Sequence, residues 1–109
     1  LVMEFIGKNK EIAPMLKDQK PKDPKMFFDE TIKNIKKLYK AELVHADLSA
    51  FNILNFEEKP VFIDFSQCSS LKDQRAVEYL ERDVNNLINF FKKQGLKEDK
   101  EKIIKKIIS

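Results

Sequence analysis

Apolar residues recur along this chain at helical spacing in three runs and cluster into short strand-like runs between and before them. From about Met26 to Ala41, Phe28, Ile32, Ile35 and Leu38 repeat at intervals of three and four, with Lys33, Lys36, Lys37 and Lys40 falling elsewhere. That spacing predicts an amphipathic helix over 26–41. A second helix is predicted from about Asp73 to Lys93, with Val77, Leu80, Val84, Leu87, Ile88 and Phe91 on one side and Gly95 placed to end it. A third, from about Glu98, buries Ile103, Ile104, Ile107 and Ile108. At the start, "LVMEFIG" is rich in branched and aromatic residues and predicts a strand over 1–7 closed at Gly7. Residues 8–25 carry Pro14, Pro21 and Pro24 among many lysines and read as a solvated loop, with a short helical turn near "IAPMLKD". Between the first two helices, "ILNF" and "VFIDF" are separated by "EEKP", a spacing that predicts a β-hairpin. The fold class is therefore α+β, mostly α, with a small antiparallel element and about three main helices.

Composition narrows the class without changing the picture. A chain of 109 residues has room for one core. With 42% hydrophobic and 36% charged residues it is too apolar for a disordered chain and too charged for a membrane protein. No apolar run approaches bilayer length and no secretory signal opens the sequence, so no membrane partner and a cytoplasmic location are expected. One cysteine, Cys68, and one histidine, His45, leave neither an internal disulfide nor a Cys/His zinc cluster. The net charge of +3 is spread along the chain and argues only weakly for nucleic acid. Nineteen Lys against two Arg, with many Ile, fit an organism living hot and an AT-rich genome equally well. Because the chain starts at Leu1 with a buried-type strand, it is expected to be part of a longer protein.

The candidate chemistry lies in "LVHADLSAFNIL", residues 43–54, where His45, Asp47 and Asn52 form the pattern H-x-D-x-x-x-x-N. Asp64 follows twelve residues after Asn52, at the end of the second hairpin strand. Phosphoryl transfer needs a carboxylate to orient or deprotonate the attacking hydroxyl, and oxygen ligands to hold Mg²⁺ on the nucleotide phosphates. Taken singly, these residues are ordinary loop, cap and hydrogen-bonding groups. Taken together, in this order and between a helix and a hairpin, they point to phosphoryl transfer.

These residues carry a resemblance. "HADLSAFN" with "IDFSQ" resembles the catalytic and metal-binding segments of the RIO family of atypical serine/threonine protein kinases, "LVMEFIG" resembles that family's hinge, and "EYLERDVNNLINFF" resembles its type-1 branch in archaea. The likeness implies a protein-kinase-like C-terminal lobe over residues 1–109: hinge strand 1–7, loop 8–25, helix 26–41, catalytic loop and metal-binding hairpin 43–66, and C-terminal helices 73–109. It implies that Asp47 is the catalytic aspartate, that Asn52 and Asp64 hold Mg²⁺ or Mn²⁺, and that His45 and Ser49 support the catalytic loop. Met3 would guard the adenine pocket, backbone groups of Glu4 and Ile6 would bond the edge of ATP's adenine, and Leu54 and Ile63 would floor it. Without the resemblance, "LVMEF", Leu54 and Ile63 read simply as core. The likeness also implies that Asp64 can accept phosphate, which leaves kinase and ATPase action both open, and that the protein acts with the small ribosomal subunit during its maturation.

The departures are as informative. His45-Ala46-Asp47 lacks the arginine common in conventional kinases, Ser66 replaces the glycine of Asp-Phe-Gly, and Ser49 stands where many kinases carry a phosphate-contacting lysine. Only Gly7 and Gly95 occur, so the 109 residues hold no glycine-rich phosphate loop. The expected partner is accordingly an N-terminal lobe of the same kinase, and the isolated chain is expected to bind Mg-ATP weakly and turn it over negligibly. A hinge strand left without its sheet would expose Leu1, Val2, Met3 and Phe5, an edge through which the chain could dimerise. Two other readings stand beside this one: a small-molecule phosphotransferase of the aminoglycoside or choline kinase type, and a non-catalytic kinase-like scaffold.

Overall fold

The structure, a computed structural model, describes residues 14–109; the expected hinge strand, with Met3, Glu4, Ile6 and the proposed dimer edge, lies outside them. The described elements run α1 (Pro24–Lys40), β1 (Leu43–Val44), β2 (Ile53–Phe56), β3 (Lys59–Phe62), a 3-10 turn (Phe65–Gln67), β4 (Ser69–Ser70), α2 (Ala76–Lys92) and α3 (Lys100–Ile108). This is the mostly helical α+β arrangement that the spacing predicts.

The helices begin where local chemistry allows. Helix α1 starts two residues before Met26, because Pro24 fits the first turn, where a missing N–H is no loss, and the Asp23 side chain accepts from Met26 N–H at 3.2 Å. Helix α2 starts at Ala76 rather than Asp73, whose carboxylate accepts from Arg75 N–H at 2.8 Å and bends the preceding residues into a turn. Its buried face is Ala76, Leu80, Asp83, Val84, Leu87 and Phe91; Val77, assigned inward by the spacing, lies off that face and is 62% exposed. Asp99 caps α3, which buries Ile103 and Ile107 and leaves Ile108 in solvent. At the centre, the Phe91 ring meets Phe28 edge-on at 5.4 Å between centroids and lies 6.1 Å from Phe27.

The described part of the long loop is not simply solvated, contrary to the sequence reading. Leu16 is wholly buried, its N–H donates to Ile53 O at 2.7 Å, and Asn55 N–H donates to Pro14 O at 2.8 Å. Residues 14–16 thus cover the edge of β2, whose unpaired backbone groups would otherwise be stranded.

Strands β2 and β3 pair antiparallel from Ile53↔Phe62 to Phe56↔Lys59, so the turn is the two residues Glu57-Glu58, and Lys59 and Pro60 belong to the strand. Both turn residues have positive φ, 50° and 68°, as a type I′ hairpin requires. Glutamate is a poor choice there, and the cost is offset from outside: Glu58 Oε1 accepts from Lys22 N–H at 2.7 Å, and Asn55 Oδ1 accepts from Glu58 N–H at 2.9 Å. Strand β1 pairs with β4, Leu43↔Ser70 and Val44↔Ser69. Because β1 pairs with β4 while β2 pairs with β3, the connections β1 to β2 and β3 to β4 must run side by side. The first carries Asp47 and Asn52, the second Asp64.

Glu57 is exposed and Glu58 is not, which separates their roles. Glu57→Gly is expected to stabilise the chain by about 0.5–1 kcal/mol by relieving the left-handed backbone. Glu58→Ala is expected to destabilise it by about 1 kcal/mol through the lost acceptor. Urea unfolding of the two variants checks both signs.

Candidate active site

The loop over 45–52 is gripped by α2 through its backbone. The Asp83 carboxylate, 2% exposed, accepts from Ala46 N–H at 2.9 Å through one oxygen and from Leu48 N–H at 3.0 Å through the other. Arg82 donates to Ala46 O, and Asn86 Nδ2 donates to Leu48 O at 3.2 Å. Both polar backbone groups of Ala46 and of Leu48 are therefore bound by three side chains of one helix. Burial pushes the Asp83 carboxyl above its ordinary range, opposed by the hydrogen bonds from the Leu48 and Ala46 amides and by the charge of Arg82. The Leu48 side chain is fully buried in the core, between exposed Asp47 and half-buried Ser49. Ala46 takes φ 71°, a left-handed conformation that turns the loop so both its N–H and C=O face α2.

His45 closes the other side. Buried at 2% exposure, its ring donates from Nε2 to Ile63 O at 2.8 Å and accepts at Nδ1 from Asp47 N–H at 3.3 Å, an arrangement that a neutral ring with its proton on Nε2 satisfies. Phe65 and Phe62 pack on the imidazole at 5.0 and 6.2 Å between centroids. Ile63 N–H in turn donates to Asn52 O at 2.9 Å. The two backbone groups of Ile63 are thus bonded to the two ends of the loop, and the next residue, Asp64, is carried to it.

Two of the expected site residues, Asp47 and Asn52, meet here, and the third, Asp64, follows Ile63, which is bonded to both ends of the loop. Asp47 is exposed; Asn52 donates from Nδ2 to Asp47 O at 2.6 Å and lies 3.4 Å from Asp47 Oδ2. With its nitrogen so committed, the amide of Asn52 leaves Oδ1 as a free acceptor among the described residues. Asp64 sits at φ 57° as the cap of the 3-10 turn, and the Ser66 hydroxyl donates to its Oδ1 at 2.7 Å. The Ser66 hydroxyl and backbone hold the Asp64 carboxyl below its ordinary range. Ser49 Oγ accepts from Phe51 N–H at 3.2 Å, a bond within the loop. Leu54 and Ile63 pack with Met15, Phe56 and Val61 in a small cluster apart from the main core.

Among the described residues no group of three His, Cys, Asp or Glu side chains is placed to enclose a metal ion. A carboxylate and an amide oxygen from adjacent chain segments are hard donors, and they suit a Mg²⁺ that fills its remaining positions with phosphate oxygens and water.

Sequence reasoning missed Arg82, Asp83 and Asn86. The signal was there for one of them, since an aspartate at position 83 falls on the apolar face between Leu80, Val84 and Leu87, where a charge needs a partner. Asp83→Ala is expected to cost about 3 kcal/mol by stranding two buried amides. Hydrogen exchange should show the Ala46 and Leu48 amides losing protection while the β2–β3 hairpin keeps its own.

Comparison with known proteins places this geometry. The family model described as RIO domain matches residues 1–103. Over 103 residues the chain is 41% identical to the RIO-type serine/threonine-protein kinase Rio1 of Thermoplasma acidophilum, covering 94% of this chain and 54% of that protein. It is 44% identical over 95 residues to Rio1 of Methanocaldococcus jannaschii, covering 86% of this chain and 33% of the relative. The chain thus spans about half the length of the first relative and a third of the second. Among solved structures, the Rio2 kinase-ADP/Mg²⁺-phosphoaspartate complex from Chaetomium thermophilum matches with a TM-score of 0.68 at 30% identity, over 78% of this chain and 29% of that one. The chain belongs to the RIO family, whose named relatives are serine/threonine-protein kinases.

Proposed function

We propose that these residues form the C-terminal lobe of an ATP- and Mg²⁺-dependent serine/threonine kinase and supply the acceptor-facing and metal-binding side of its site. The observation that carries this is the bonding of Ile63 to both His45 and Asn52, which ties the residue before Asp64 to both ends of the loop that carries Asp47 and Asn52. In this reading Asp47 orients the acceptor hydroxyl and takes its proton as the hydroxyl oxygen bonds to the γ-phosphorus of ATP and the bond from that phosphorus to the β–γ bridging oxygen breaks, releasing ADP. Asn52 Oδ1 and a carboxylate oxygen of Asp64 hold Mg²⁺ or Mn²⁺, which when bound offsets the charge of the nucleotide phosphates. His45 and Ser49 keep the loop in shape. Leu54 and Ile63 would floor the adenine of ATP, Met3 would guard the back of its pocket, and the backbone carbonyl of Glu4 and N–H of Ile6 would bond its edge.

The Rio2 neighbour's title names a phosphoaspartate. That supports a second reading for the same site, in which an Asp64 carboxylate oxygen takes the γ-phosphoryl group as ADP leaves, and water then hydrolyses the acyl phosphate to inorganic phosphate and free Asp64, so that the protein works as an ATPase. Further proposals concern partners: an N-terminal lobe supplying the glycine-rich loop, a protein substrate, and the maturing small ribosomal subunit, all in the cytoplasm. Since the 109 residues contain only Gly7 and Gly95, turnover by this chain alone is proposed to be negligible. The two competing readings, a non-catalytic scaffold and a small-molecule phosphotransferase, have no comparable support among the named relatives, which are serine/threonine-protein kinases.

In the protein joined to its N-terminal lobe, Asp47→Ala is expected to lower kcat roughly 100- to 10,000-fold. Asn52→Ala and Asp64→Ala should each remove Mg²⁺-dependent turnover while the thermal unfolding midpoint stays near that of the unaltered protein. Acid-stable labelling of a protein substrate from radiolabelled ATP supports the kinase reading, and an acid-stable but hydroxylamine-sensitive label lost in Asp64→Ala supports the phosphoaspartate reading. Full turnover in the Asp64 or Asn52 variant would overturn the metal assignment.

A further inference from the structure

Asp64 is held at its backbone from three directions. Ile63 before it is bonded to both ends of the loop, its own φ of 57° is set by the 3-10 turn it opens, and Phe65 after it packs on the His45 ring at 5.0 Å. What this leaves free is the carboxylate, which is exposed, and whose terminal torsion is broad and roughly two-fold, so that its two oxygens exchange at little cost. The Ser66 hydroxyl, acting with the backbone N–H of the same residue, restricts that freedom. It lies 2.7 Å from Oδ1, whereas Oδ2 has no side-chain donor among the described residues.

We infer that Ser66 is a positioning residue for the proposed metal site: by donating from Oγ to Oδ1 of Asp64, it orders the side chain so that Oδ2 is the oxygen presented to a divalent cation. Mg²⁺ and Mn²⁺ take near-octahedral sets of oxygens and gain from a carboxylate already fixed as a single-oxygen ligand, because the ordering cost does not fall on the binding step. A hydrogen bond to the non-ligating oxygen of a metal carboxylate is the kind of outer contact whose loss costs about 10- to 100-fold in metal affinity. Capping the turn needs no hydroxyl at position 66, since the Cys68 N–H already closes it onto Phe65 O at 2.9 Å. The hydroxyl therefore has a task separate from the fold. This inference rests on the reading of Asp64 as a metal ligand.

The test measures Mn²⁺ binding in the presence of ADP to the chain joined to its N-terminal lobe, by the electron paramagnetic resonance signal of free Mn²⁺, for the unaltered chain and for Ser66→Ala, Ser66→Thr, Asn52→Ala and Asp64→Ala. The expected result is an affinity roughly 10-fold weaker in Ser66→Ala. Ser66→Thr should restore it, and the thermal midpoint without metal should be the same in all three. Asn52→Ala and Asp64→Ala should lose binding. If Ser66→Ala binds Mn²⁺ as tightly as the unaltered chain while Asp64→Ala does not bind, the inference about Ser66 is overturned and the metal site stands. If Asp64→Ala and Asn52→Ala bind normally, or the unaltered chain does not bind, the metal-site reading fails and the inference with it.

Discussion

A carboxylate set into the apolar face of a helix costs several kcal/mol in lost hydration unless donors replace the water it gave up. Asp83 meets that condition with two backbone amides of the loop over 45–52, one to each oxygen. The requirement runs both ways. The amides of Ala46 and Leu48 are themselves removed from water, and without Asp83 they would be stranded. Mutual satisfaction makes the loop and α2 one unit. Because Arg82 and Asn86 take the carbonyls of the same two residues, the loop has little choice of conformation, including the left-handed turn at Ala46.

From that fixed loop the rest of the site follows by strand pairing. The β1–β4 and β2–β3 pairings bracket the two connections that carry Asp47, Asn52 and Asp64, and Ile63 is bonded across the gap to His45 and Asn52. None of the three polar side chains is buried, and none needs to be. Rigidity comes from the backbone beneath them and from the packed Leu48, Phe62 and Phe65, so the loop keeps its shape without a core of charged groups. The same division appears at the hairpin, where Glu57-Glu58 accept an unfavourable backbone because Lys22 and Asn55 hold Glu58 from outside.

Much of the fold was legible because it depends on periodicity. The three helices announce themselves through Phe28, Ile32, Ile35, through Leu80, Val84, Leu87, Phe91, and through Ile103 and Ile107, all buried as the spacing requires. Their ends were less legible, since Pro24 and Asp73 act through cap and turn bonds that periodicity does not register. The two-residue turn was hidden because its glutamates lack the usual Asn-Gly signature, and Leu16 was hidden because its burial depends on the distant edge of β2. For the site, His45, Asp47, Asn52 and Asp64 could be picked out as chemistry by their order and types. Their supports could not, apart from the anomaly of an aspartate at position 83.

The sequence by itself determined the helical class, the hairpin, the family and the polar residues that give this chain its candidate chemistry, because each is encoded in residues close to one another along the chain. Only the tertiary structure decided that Asp83 and its neighbours Arg82 and Asn86 clamp a loop more than thirty residues away, that Ile63 joins both ends of that loop, and that the Ser66 hydroxyl bonds to Asp64. Those bonds depend on where backbone amides and carbonyls come to rest, and every residue carries the same backbone groups, so nothing in residue type alone tells which of them will meet.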